Sequence, residues 1–264
     1  MADGWDPFAD PADSASSEPA PSKVPASPVW YSGKPVVLGR PLRVACLHGT
    51  SSNAHICKMQ LSRLTIACKG KVDFIYINGL IKPTEEDCKS PAIIAMQKMF
   101  LGQDLLSYAS YVKTPPLPAG ELLDYKGLDM TLEYLQSQLQ EHAPIDGVLG
   151  FSQGGNMASL LAAQAAKGQG LPLAFVVHMS STEPGWAHQY PDFYREPLPI
   201  PSFHVWGKAD PNVGTLFPEH LPEYYSWPEI ANHSGDHRPL PADRGEADAL
   251  AARLLDFMLR AAAA

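Results

Sequence analysis

Gly150-Phe151-Ser152-Gln153-Gly154-Gly155 follows an apolar run at 145–149 and precedes strong helix formers at 156–167. The pattern Gly-x-Ser-x-Gly between a strand and a helix places the serine on a tight turn, where crowding requires glycine on both sides. Such a turn presents the Ser152 hydroxyl above the strand end, and the Gln153 amide points toward the same space from the helix N-terminus. The stretch therefore predicts a nucleophilic serine in a parallel sheet.

The elements around this turn indicate the fold class. An apolar run at 173–179 follows the helix, so that strand, turn, helix and strand form one right-handed βαβ unit of a parallel sheet. Apolar patterns predict further strands at 42–47, 72–77, 202–206 and 228–231, and helices after His48, at 126–141 and at the C-terminus. The helix after His48 is expected to run through Ile56, Met59, Leu61 and Leu64. This alternation predicts an α/β domain with a mostly parallel, doubly wound sheet.

Length and composition limit the possible functions. The chain has 264 residues, 45% of them hydrophobic, which suffices for one large core. Its formal charge of −8, without a basic cluster, argues against nucleic acid as a partner. No apolar run approaches the roughly 18 residues of a membrane span. Four cysteines without a Cys-x-x-Cys pair, and an N-terminus without signal-peptide character, predict a cytoplasmic protein with reduced thiols. The oligomeric state stays open.

Composition also divides the chain. Residues 1–29 form an acidic tail rich in Pro, Ser and Ala, which is predicted to be disordered. Residues 30–264 form the domain, with a lid-like, irregular insertion at about 80–124. The insertion carries an apolar patch: Ile93, Met96, Phe100, Leu101, Leu105 and Tyr108. We expect Phe100 and Leu105 to contact a substrate; the alternative is that the patch belongs to the core.

A nucleophilic serine needs an acid and a base, which in such sheets follow it in the order acid, then histidine. Asp210 comes after the strand at 202–206 and a glycine turn, which makes it the predicted acid. Glu183 and Asp192, after the preceding strand, are its competitors.

Two histidines compete for the role of base in the loop after the last strand, His233 and His237. His237 is predicted to be the base because Gly235 permits a tight turn that returns it toward the sheet. His233 is expected to pack structurally, as are His178 and His204 within strands.

The loop after the first strand supplies the remaining expected part. In a His-Gly loop, one backbone amide joins the amide after the nucleophile in stabilising an oxyanion. His48-Gly49 therefore predicts Thr50 as one donor, with Ser51 as the adjacent alternative, and Gln153 as the other. His48 itself is expected to fix this loop.

Together these residues resemble the FSH family of serine hydrolases, which includes ovarian-cancer-associated hydrolases and fungal polyketide-pathway thioesterases. The resemblance spans about residues 42–258. Its motifs are Leu47-His48-Gly49-x-x-x-Asn53, with Ile56 and Gln60, then Pro144-x-Asp146-Gly147-x-x-Gly150-Phe151-Ser152-Gln153-Gly154, Asp210, and His233-x-x-x-His237. It implies an α/β-hydrolase fold and a triad of Ser152, Asp210 and His237. It also implies a small-molecule ester or thioester substrate, and neither a metal nor an organic cofactor.

Some alternatives stay open at this point. Acyl-protein thioesterases share Gly-Phe-Ser-Gln-Gly-Gly, and a catalytically silent binding module would be a function of another class. The chain also departs from the family pattern, because Asp236 stands before His237 where the family has glycine. Its carboxylate either lies against the imidazole or faces solvent.

Overall fold

The computed structural model describes residues 39–85, 89, 91–112, 124–182, 187, 189–213, 216 and 218–263, with the backbone alone for 91–93. The predicted tail at 1–29 lies outside the described residues. So do Cys88, the Glu183 alternative and the part of the insertion at 113–123.

The described chain alternates strands and helices. The strands are β1 Leu42–Leu47, β2 Val72–Ile77, β3 Ser110–Tyr111, β4 Tyr125–Lys126, β5 Gly147–Phe151, β6 Phe175–Met179, β7 Leu198–Gly207 and β8 Tyr225–His233. The helices are α1 Ala54–Gln60, α2 Ser62–Ala67, α3 Pro91–Met99, α4 Leu128–Glu141, α5 Gln153–Ala166 and α6 Arg244–Ala261, with a 3₁₀ turn at Leu221–Tyr224.

Six of these strands form the central sheet, in the order β2-β1-β5-β6-β7-β8, and every neighbouring pair is parallel. This confirms the predicted α/β-hydrolase class of sheet. Because the strands are parallel, their carboxyl ends lie along one edge, where ligands bind in folds of this kind. The loops after β1, β5, β7 and β8 carry Thr50, Ser152, Asp210 and His237 respectively.

The core lies on both faces of the sheet. Along β1, Ala45 and Leu47 pack on the face covered by α4 and α5, whereas Val44 and Cys46 pack on the face covered by α1, α2 and α6. This alternation follows the two-residue period of a strand. The stripe predicted for α4 is buried as expected: Leu128, Leu132, Leu135 and Leu139. None of the described helices has the length and apolar character needed to cross a membrane.

Several boundaries differ from the expectations. The helix expected after His48 is two helices that break at Leu61, and Met59, expected on the apolar stripe, is 51% exposed. The strands expected at 202–206 and 228–231 extend in both directions as β7 and β8.

The prediction of an irregular insertion is wrong in part, because it contains α3 and the strand β3, which pairs with β4. Among its described side chains, helix α3 exposes the apolar Ile94 at 36% and Met99 at 72%, which weakens the one-sided apolar pattern by which a surface helix is recognised.

Candidate active site

The turn between β5 and α5 holds Ser152 in a conformation that few side chains adopt, with φ 52° and ψ −122°. Its amide donates a hydrogen bond to the carbonyl of Met179 in the adjacent strand, at 2.8 Å. A Cβ at Gly150 would lie 2.2 Å from the carbonyl oxygen of Gly154, and one at Gly154 would lie 2.3 Å from that of Leu47. Backbone packing around the turn therefore requires both glycines of the motif.

The structure brings the three predicted triad residues together. The Oγ of Ser152 lies 3.0 Å from Nε2 of His237, and Nδ1 of His237 lies 2.8 Å from Oδ2 of Asp210. Both distances are those of hydrogen bonds. If the proton sits on Nδ1 and is donated to Asp210, then Nε2 can accept the proton of the serine hydroxyl. The geometry thus allows the serine proton to pass to Nε2, while the carboxylate stays ionised and holds the Nδ1 side of the ring.

Hydrogen bonds between two loops set the distance from Asp210 to His237. The amide of Lys208 donates to the carbonyl of His233 at 2.8 Å, and that of Ala209 donates to Gly235 at 3.1 Å. A Cβ at Gly207 would lie 2.1 Å from the carbonyl oxygen of Gly235, so the loops after β7 and β8 approach closely only with glycine there. The turn that was expected at Gly235 can therefore pack against the loop after β7 only because residue 207 is also glycine.

Asp210 is buried, with its side chain 1% exposed. Burial disfavours the charged carboxylate, but the contact with His237 and hydrogen bonds from the Asn212 amide and the Ser180 hydroxyl outweigh it. The pKa of Asp210 is therefore lowered from its ordinary value, and the carboxylate is negative at neutral pH. Such a group can orient the imidazole and stabilise its cation. Asp192, the described competitor, lies in an exposed ion pair with Arg195.

His233, His178 and His204 make structural contacts, as expected. His233 is buried and contacts its own loop, since its Nε2 lies 3.2 Å from the carbonyl of Arg238 and its Nδ1 accepts from the Gly235 amide at 3.1 Å. His178 and His204 stack within the sheet, with ring centroids 4.8 Å apart. Burial lowers the pKa of His178 to about 3.

The loop after β1 is held by His48. Its Nε2 accepts a hydrogen bond from the Gly79 amide at 2.9 Å, and its Nδ1 lies 2.7 Å from the carbonyl of Gly49. Burial lowers the pKa of His48 to about 4, so the ring is neutral at pH 7. The Ser51 amide donates to Oγ of Ser107 at 3.0 Å. Because this bond occupies the Ser51 amide, which was the alternative oxyanion donor, it favours the Thr50 amide for that role.

The side chain of Gln153 has a role that sequence reasoning missed. It is 1% exposed, and it pairs with the backbone of the insertion. Its Oε1 accepts from the amide of Tyr108 at 2.8 Å, and its Nε2 donates to the carbonyl of Ala109 at 2.9 Å. The sequence did offer one indication of this role. Only the backbone amide of residue 153 was expected to have a function, yet the residue carries an amide side chain that can both donate and accept hydrogen bonds.

The two residues that were expected to contact a substrate, Phe100 and Leu105, lie in one small apolar cluster. Leu105 is buried against Ile56, with Phe100 and Met96 packed on the same small cluster. Substrate contact by Phe100 and Leu105 stays a prediction.

Asp236 is an ion-pair partner of Arg238, and its side chain is 57% exposed. Arg238 lowers the pKa of Asp236, so the pair leaves its carboxylate charged and turned toward a neighbour other than the imidazole.

Residues 38–249 match the family model described as "Serine hydrolase (FSH1)". The chain belongs to this family. The match confirms the resemblance drawn from the motifs around His48, Ser152 and His237, and it makes the protein a member of a family of serine hydrolases.

Relatives of this FSH1 family member include the esterase FPY3 of Fusarium mangiferae, 30% identical over 184 residues that cover 65% of this chain and 76% of the relative. A hydrolase of Schizosaccharomyces pombe is 25% identical over 232 residues, covering 83% of this chain. The match spans about half, 51%, of that longer relative. Among solved structures, the carboxylesterase of Bacillus cereus superposes with a TM-score of 0.54 at 16% identity, covering 83% of this chain and 89% of the other. At this identity the likeness concerns the fold.

Proposed function

We propose that this serine hydrolase cleaves carboxylic esters or thioesters through an acyl-serine intermediate, with Ser152 as nucleophile, His237 as base and Asp210 as the group that orients it. The observation that carries the proposal is the hydrogen-bonded chain from Oγ of Ser152 through His237 to the buried carboxylate of Asp210. Family membership supports the reaction class.

In the first half of the reaction, Oγ of Ser152 bonds to the acyl carbon while its proton passes to Nε2 of His237. The negative charge on the former carbonyl oxygen is stabilised by the backbone amides of Thr50 and Gln153. When this intermediate collapses, the bond to the alcohol or thiol breaks, and the leaving group takes the proton from Nε2. Water then repeats both steps on the acyl-serine and releases the acid.

For the substrate we propose a medium to long acyl chain that contacts Phe100 and Leu105. The support is an apolar cluster beside the loop that carries Thr50: Leu105 packs on Ile56 at the start of α1, and Phe100 adds to it. Each methylene buried by such a surface contributes about 0.8 kcal/mol at most. We also propose a cytoplasmic location, supported by three buried free thiols, at Cys46, Cys57 and Cys68.

The test is a hydrolysis screen of oxygen esters and thioesters from acetyl to octanoyl, with wild-type protein and Ser152→Ala, combined with labelling by a fluorophosphonate. We expect kcat/KM to rise with chain length in the wild type. Ser152→Ala should fold normally but lose nearly all hydrolysis and all labelling. Hydrolysis retained by the variant would refute the nucleophile. A flat chain-length series would refute the acyl preference alone, and activity restricted to lipidated protein substrates would favour an acyl-protein thioesterase.

A further inference from the structure

Residues 105–109 of the insertion, here called the strap, contact both elements that carry the proposed oxyanion donors. Leu106 pairs with Ser52 through two backbone hydrogen bonds, of 3.0 and 2.6 Å. The Ser107 hydroxyl accepts from the Ser51 amide, one residue after Thr50. The strap is therefore attached to the loop after β1 at two consecutive residues, Ser51 and Ser52.

The opposite end of the strap is attached to the start of α5. The Gln153 side chain bonds the amide of Tyr108 and the carbonyl of Ala109, as described above. The Tyr108 hydroxyl accepts from the His48 amide at 3.1 Å and donates to the carbonyl of Ile77 at 2.6 Å. All of these groups are buried. One short segment thus joins the residue after the nucleophile to the loop of the second donor.

The strap is itself held in place from outside the site. The amide and carbonyl of Ser107 pair with those of Ile81, at 2.7 and 2.9 Å. A Cβ at Gly79 would lie 2.4 Å from the carbonyl oxygen of Ser107, so the strap packs directly on the backbone after β2. Beyond the strap, the hydroxyls of Tyr111 and Thr50 lie 2.5 Å apart. The contacts of Ser107 with Ile81 and Gly79 therefore hold the strap through residues other than Thr50 and Gln153.

We propose that the strap sets the separation of the two oxyanion amides, with Ser107 and the side chain of Gln153 as positioning residues. An oxyanion donor acts only at hydrogen-bond distance from the developing charge, so a loop displaced by a fraction of an ångström loses transition-state stabilisation. Substrate binding in the ground state depends much less on these amides. The inference rests on the proposed assignment of Thr50 and Gln153.

The test compares Ser107→Ala and Gln153→Met with the wild type. We expect kcat to fall about tenfold or more with KM nearly unchanged, because the interaction that is weakened belongs to the transition state. The inhibition constant of an alkyl trifluoromethyl ketone, which forms a tetrahedral adduct on serine, should rise by the same factor. Ser107→Thr, which keeps the hydroxyl, should restore kcat.

Ser202→Ala is the matched control, since it also removes a buried hydroxyl, one that pairs with His204 at 2.8 Å in β7. It should lower the melting temperature without changing kcat. If the strap variants behave like this control, the strap is only structural and the inference is overturned. Stoichiometric fluorophosphonate labelling of the strap variants separates this outcome from a wrong nucleophile, which would show in Ser152→Ala instead.

Discussion

His233 and His237 lie four residues apart at and after the end of β8, yet they differ in burial and in the contacts of their ring nitrogens. His233 is buried, and both of its ring nitrogens contact groups within five residues of it. The side chain of His237 is 29% exposed, and its nitrogens contact residues 27 and 85 positions away. Contacts that are near in sequence fold the loop, whereas contacts that are distant in sequence assemble a site. The comparison shows that residue type and spacing do not separate these two tasks.

The largest effect should come from exchanging each histidine for alanine. His237→Ala should lower kcat by roughly 10³-fold or more, since no other described imidazole contacts Ser152. His233→Ala should leave kcat within a few-fold but cost about 1–3 kcal/mol of unfolding free energy, because it leaves loop backbone groups unpaired. Steady-state kinetics measure the change in kcat, and urea unfolding curves measure the change in unfolding free energy. The exposed His55→Ala serves as a control, and the reverse pattern would show that His233 is the base.

A second effect concerns stability and pH. His48, His178 and His204 are buried, and burial lowers the pKa of each. The unfolded chain takes up these protons near pH 6.5, whereas the folded protein takes them up near pH 4 at His48, near pH 3 at His178 and well below pH 6.5 at His204. The unfolded state therefore binds more protons in this window, and stability falls as the pH falls from about 6.5. The slope should be about 1.4 kcal/mol per pH unit for each such histidine. Urea melts at pH 7, 6 and 5 measure it, and equal stabilities would contradict the neutral buried rings.

The smallest effect should follow Asp236→Gly, which restores the residue of the family pattern beside His237. Because the Asp236 carboxylate is exposed and paired with Arg238, the acid limb of the kcat/KM profile should move by less than about 0.3 pH unit. A shift of a full unit downward would mean that this carboxylate acts on the imidazole. Arg238→Gln, which frees the carboxylate, is the matched comparison and should produce the larger shift of the two.

Much of the fold could be predicted from the sequence because the central strands β5 and β6 are buried at every position. β1 and β2 also have the predicted bounds, since apolar residues make up all but one position of each run, Arg43 in β1 and Asp73 in β2. The ends of β7 and β8 were not predicted, because Pro199, Pro201 and Pro228 lie within strands that pair by tertiary contact. Helix α3 was not predicted because exposed apolar side chains, such as Ile94 and Met99, obscure the amphipathic pattern of a surface helix.

The turn that holds the proposed nucleophile, Ser152, could be predicted from the motif, since only glycine fits at Gly150 and Gly154. The contacts of the Gln153 side chain that support this turn could not be predicted. The bonds from Gln153 to Tyr108 and Ala109 join residues 44 or 45 positions apart, and nothing in the local sequence of either segment indicates the other. The acid and the base could be proposed from chain order, but their meeting depends on the approach of Gly207 to Gly235.

The connection from β2 to α4 runs over residues 78–127, and the pairing of Ile81 with Ser107 closes it into a smaller loop at its base. The conformational entropy lost in closing a flexible loop grows only slowly with its length, by about 0.6 kcal/mol for each doubling. Residues added at an exposed part of this excursion, such as Leu101, would therefore cost little folding free energy, while the segment at 105–109 keeps its place. The length of this excursion can therefore vary with little effect on the backbone pairing at its base.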